Sequence, residues 1–124
     1  MSVLGEHLVF VYGTLKRGCR NHGWMRGGFF VGEATTQPDF RMHDLGGYPG
    51  MYAVEGNGLS IRGELWRVDD AGLARLDILE DVEGGDYRHE RINLLPPWEN
   101  EKPLAYICLL PCEGCPDVGE EWVE

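Results

Sequence analysis

The sequence predicts an α+β fold, with about six strands to one helix in a mostly antiparallel or mixed, barrel-like sheet. Three observations lead there. Leu8–Tyr12 is a continuous apolar run that stops at Gly13, as a short strand buried on both faces would. Ser60–Val68 alternates, with Ile61, Gly63, Leu65 and Val68 between Arg62, Glu64 and Arg67, the pattern of a half-exposed strand. Helical periodicity is convincing in one segment alone, the one opening at Asp69-Asp70.

The remaining elements follow in order. Leu15–Asn21 is a loop with Gly and Arg, and Phe29–Thr36 is a second strand of aromatic and β-branched residues, stopped by Pro38. Asp44–Pro49, with Gly46-Gly47 and a Tyr48-Pro49-Gly50 unit, is turn material. Asp69-Asp70 supplies an N-cap for a helix running to about Asp81, and Gly84-Gly85 stops it. Two more strands are expected at Tyr87–Leu94 and Leu104–Leu110, with irregular chain at Pro96-Pro97 and from Pro111 to Pro116.

At 124 residues, with no repeat and no linker, residues 1–124 are expected to form one domain. The net charge of −10, with no Lys/Arg cluster against it, argues against nucleic acid and anionic membrane as partners. No apolar run approaches the roughly 20 residues that span a bilayer. Met1–His7 lacks the pattern of a signal peptide, so a cytoplasmic protein is expected. Its four cysteines, Cys19, Cys108, Cys112 and Cys115, are then expected as free thiols.

Two places carry chemistry. On a helical wheel Leu73, Leu76 and Leu79 fall within roughly 120° of one another, and Glu80 projects inside that apolar sector. Glu83 would share the sector if the helix reached it, whereas Asp77 lies at its edge and Asp81 faces away. A carboxyl on an apolar stripe breaks a local rule, and such breaks concentrate at functional sites. Burial and the negative helix end both push its pKa upward, toward a group that can take a proton and return it. The plainer account is that Glu80 pairs with an Arg or frays outward. The second place is Tyr12-Gly13-Thr14-Leu15, where a buried strand exits into a loop. Its N–H groups could form a nest for a carboxylate, with Gly13 allowing close approach of a ligand. A plain turn is the alternative. No phosphate-loop pattern occurs.

Four segments together resemble the γ-glutamyl cyclotransferase-like family, which includes the γ-glutamylamine cyclotransferases and AIG2-like proteins. They are Val9-Phe10-Val11-Tyr12-Gly13-Thr14-Leu15-Lys16-Arg17-Gly18, Gly47-Tyr48-Pro49-Gly50, Ile61–Val68, and Leu76-Asp77-Ile78-Leu79-Glu80 followed by Tyr87-Arg88. The resemblance implies a small mixed β-barrel with flanking helices. It implies a γ-glutamyl substrate held by Tyr12, Gly13, Thr14 and Leu15, with Tyr87 at the same site, and Glu80 as the acid/base. The implied reaction is intramolecular: the α-amine attacks the γ-carbonyl, giving 5-oxoproline and a free amine with no cofactor and no metal. One departure is that Tyr87 follows Glu80 by seven residues, one more than the family spacing, which leaves Glu83 as a rival.

Other constellations carry less. Cys112-Glu113-Gly114-Cys115 has zinc-ligand spacing but lacks a full ligand set, and Cys19 with His22 could form a nucleophilic dyad. The competing function is a non-catalytic small-ligand-binding domain on the same fold. The sequence leaves open whether the chain works alone or as a homodimer.

Overall fold

A computed structural model of the chain describes residues 5–124. The first four residues of the Met1–His7 segment lie outside the described residues. In chain order the elements are β1 (Glu6–Val11), a 3-10 turn (His22–Met25), β2 (Phe29–Thr35), β3 (Phe40–Asp44) and β4 (Pro49–Ala53). They continue with β5 (Arg62–Asp69), α1 (Asp70–Leu79), β6 (Tyr87–Arg91) and β7 (Leu104–Cys108). A five-stranded sheet runs β2-β5-β1-β7-β6, and β3 and β4 form a separate antiparallel pair. Within the large sheet β1 and β7 are parallel and the other neighbours antiparallel. The expected mixed, mostly antiparallel α+β architecture is therefore present. The sheet is not a closed barrel, however. Its edge strands β2 and β6 approach each other through an isolated bridge, Thr36 to Leu94, beyond their ends.

The apolar run of β1 is buried on both sides, as its composition requires. Phe10 faces a core with Met42, Met51, Leu65, Ala105 and Ile107, while Val9 and Val11 face a second core with Trp66, Val68, Leu76 and Tyr106. Helix α1 covers the second core. Leu76 is fully buried, with Leu73 and Leu79 packed beside it, and burial of a leucine side chain contributes roughly 2–3 kcal/mol. The N-cap is as expected: Asp69 ends β5 and its carboxylate accepts the Gly72 N–H at 2.7 Å.

Three expectations are corrected. The helix ends at Leu79 rather than near Asp81, and Asp81, at φ 51°, turns the chain before Gly84-Gly85 is reached. Aspartate tolerates this left-handed conformation better than most side chains, and the Asp81 Oδ1 accepts the Gly84 N–H. Tyr48-Pro49-Gly50 is not all turn, because Pro49 is the first residue of β4, the position where a strand tolerates a missing donor. Finally, β5 is not half exposed. Gly63 through Trp66 are buried in succession, and Glu64 carries its charge inward.

Candidate active site

The chain leaves the C-terminal end of β1 directly into Tyr12-Gly13-Thr14-Leu15, and all four residues are buried. The loop is pinned from several sides. Asn21 donates through its backbone N–H to the Thr14 carbonyl at 2.9 Å and through its amide to Thr14 Oγ1 at 3.0 Å. His22 donates from Nδ1 to the Leu15 carbonyl at 2.9 Å. Buried Glu64 accepts the Arg17 N–H, the Arg17 Nε–H and the Trp66 indole N–H at 3.1, 3.0 and 3.1 Å. The Arg17 guanidinium lies 3.7 Å over the Phe30 ring. By contrast, the N–H groups of Gly13, Thr14 and Leu15 donate to no backbone carbonyl or side-chain acceptor among the described residues. A row of undirected donors in a fixed loop is what a carboxylate nest requires.

Packing gives a further reason for glycine at position 13. A Cβ there would stand 2.6 Å from Pro49 Cγ and 3.1 Å from its Cδ. Glycine is thus needed for the close approach of the loop to the start of β4.

Glu80 stands one residue beyond α1, its N–H still bonded to the Leu76 carbonyl at 2.9 Å, so its side chain keeps the direction of the apolar stripe. It forms no ion pair and accepts no hydrogen bond among the described residues. Burial pushes its carboxyl from an ordinary 4.5 up to about 7. Such a group is half ionised near neutrality, which is where a general acid/base works best.

The loop and Glu80 meet in one cavity of about 40 Å³, whose wall includes Tyr12, Gly13, Thr14, Leu15, Pro49, Glu80, Tyr87 and Tyr106, with Tyr48 also on its lining. That is room for about three waters or the tip of a small ligand. The phenols are committed to the scaffold. Tyr12 donates to the Tyr106 carbonyl at 2.7 Å and accepts the Met51 N–H at 3.3 Å, and Tyr87 donates to the Pro49 carbonyl at 3.0 Å. Burial holds the Tyr12, Tyr87 and Tyr106 hydroxyls well above the usual tyrosine value. They remain neutral and offer ring surface to a ligand. Tyr106 was missed in the sequence; a tyrosine inside the apolar run of β7 was the available signal.

The rivals lie elsewhere. Glu83 is exposed and absent from the cavity wall. His22 uses Nδ1 on Leu15, and burial pushes the Cys19 thiol up, so that pair holds no activated nucleophile. Cys112 and Cys115 sit on a turn after β7, where the Cys115 N–H donates to the Cys112 carbonyl.

A half-buried carboxyl, unpaired among the described residues, thus stands beside a loop of unengaged N–H groups on a small α+β scaffold. The chain belongs to the γ-glutamyl cyclotransferase, AIG2-like family, whose model matches residues 9–124. Among relatives, it is 40% identical over 106 residues to the γ-glutamylcyclotransferase family protein ytfP of Citrobacter rodentium, covering 86% of this chain and 85% of that one. Among solved structures, it resembles an AIG2-like protein from Mus musculus with a TM-score of 0.80 and 27% identity, covering 90% and 85% of the two chains. The solution structure of ytfP from Escherichia coli matches with a TM-score of 0.68 and 29% identity, over 93% and 94%.

Proposed function

We propose that this protein is a cyclotransferase that releases 5-oxoproline from a γ-glutamyl amine or γ-glutamyl amino acid, with Glu80 moving the proton. The substrate folds so that its α-amine nitrogen attacks its own γ-carbonyl carbon. Glu80 takes the proton that the nitrogen sheds as the new C–N bond forms, and delivers it to the nitrogen that departs as the old bond breaks. Nucleophile and electrophile are tethered in one molecule, so the protein contributes folding of the substrate and a proton carrier. In this reading the N–H groups of Gly13, Thr14 and Leu15 hold the substrate, and the rings of Tyr12 and Tyr87 shape its pocket. The partner is a small molecule in a reducing, cytoplasmic setting, which suits four free cysteines.

The observation that carries the proposal is Glu80 itself, a carboxyl at a cavity, without a partner among the described residues and with a proton affinity raised to near neutrality. A protein that only held ligands would gain nothing from this, because burying an unpaired carboxyl costs stability. The test is 5-oxoproline release from a panel of γ-glutamyl amides with different leaving amines. Release from at least one member, lost in Glu80→Gln, is expected. A panel turned over no faster than in buffer would leave the ligand-binding reading in its place.

A further inference from the structure

The Glu80 carboxyl accepts no hydrogen bond among the described residues, and it lies just past a helix end, where chains fray. Something else must hold it at the cavity. One turn earlier, Asp77 reaches from α1 to the sheet. Its Oδ1 accepts the Tyr106 hydroxyl at 2.7 Å and the His89 Nδ1–H at 3.1 Å. His89 and Tyr106 stand directly opposite each other on β6 and β7, with ring centroids 6.1 Å apart. The Asp77 carbonyl accepts the Val82 N–H at 3.0 Å, closing the turn that contains Glu80. Tyr106 also takes the Tyr12 hydroxyl on its carbonyl. The substrate loop and the helix end are therefore both fastened to a single residue of β7.

We propose that Asp77, Tyr106 and His89 form a clamp that positions Glu80, holding the end of α1 against the β6–β7 pair so that the carboxyl stays at the cavity. This rests on the reading of Glu80 as the acid/base. Asp77 and His89 do not touch the cavity, and the Tyr106 hydroxyl is spent on Asp77 while its ring lines the wall, so the three polar groups act through Glu80. The bonds to the Asp77 carboxylate are charge-assisted and stronger than neutral ones. The groups around Glu80 are the neutral phenols of Tyr12 from the loop, Tyr87 from β6 and Tyr106 from β7, with the Asp77 carboxylate on its own helix. Burial being the cause of Glu80's raised proton affinity, a carboxyl freed to swing into water should return toward its ordinary value.

Tyr106→Phe tests this without altering any charge, since it removes one hydroxyl and keeps the ring. Two readouts are taken: the Glu80 carboxyl titration by carbon-13 NMR, and kcat and KM for 5-oxoproline release. The expected results are a Glu80 titration lowered by about one pH unit or more and a kcat about tenfold lower with KM within about twofold. Asp77→Ala should reproduce both, whereas Asp77→Asn, which keeps an oxygen for both donors, should hold kcat within about threefold of the parent. A wild-type titration in a folded Tyr106→Phe, an unchanged kcat, or an Asp77→Asn as slow as Asp77→Ala would each overturn the clamp. The NMR arm reads the position of Glu80 whether or not the chain turns over, so failure of the catalytic reading would be seen separately, as wild-type protein that releases no 5-oxoproline.

Discussion

Replacing Glu80 by Gln should make the protein more stable, and by an amount that depends on pH in a defined way. The folded state raises the Glu80 pKa from 4.5 to about 7 through burial. A raised pKa means that the folded protein binds the proton more tightly than the unfolded chain does. The stability linked to that proton is complete below about 4.5 and is lost as pH rises through about 7. Glutamine stays neutral throughout and shows no such loss. Near pH 4 the two proteins should therefore melt together, and by about pH 8 the variant should lead by up to roughly 3 kcal/mol, at about 1.4 kcal/mol per tenfold change in proton affinity. For a domain of this length that is a difference in Tm on the order of 10 °C. The assay is thermal unfolding of both proteins in matched buffers across that range. Coincident melting at pH 8 would show that the ionised carboxylate is well solvated. A more stable parent there would show that it has found a cation or donor, and either result would refute the argument from burial.

Two further changes test the scaffold of the site. Gly13→Ala places a methyl 2.6 Å from the Pro49 ring, so it should cost about 1–3 kcal/mol by overpacking; denaturant unfolding at the parent's stability would mean that loop and β4 separate freely. Glu64→Gln leaves Arg17 and the Trp66 indole with a weaker acceptor and should cost about 1–3 kcal/mol. KM should rise as the loop loosens, and unchanged unfolding and KM would show that the loop holds its shape without this buried carboxylate.

How much was legible in advance depended on whether the signal was local. The β1 run, the Asp69 cap and the leucine stripe of α1 express short-range rules, and they were readable. The β3–β4 pair was not, because Pro49 and Gly50 carry the signature of a turn while forming the start of β4. Alternation in β5 made Glu64 look exposed; its true setting is decided with Trp66, two residues on, by Arg17, 47 positions away and outside any local pattern. Glu80 stood out because it violates the apolar stripe, a conflict visible in one helix. Tyr106 and Asp77 were not assigned a role, since their contact joins a helix to a strand 29 positions away, and no periodicity encodes that pairing.

Whether Glu80 is the group whose proton moves is read from the pH dependence of kcat/KM for 5-oxoproline release by the parent, Glu80→Gln and Glu83→Gln. A general base must be ionised to accept the amine proton, so the parent's activity should rise with pH through a limb near 7, the value burial gives Glu80. Glu80→Gln should be slower by about 10²–10⁴ and lack that limb. Exposed Glu83 should be dispensable, with its variant within a few-fold of the parent and the limb intact. A Glu80→Gln protein that turns over at the parental rate, or a limb that persists in it unchanged, would contradict the account.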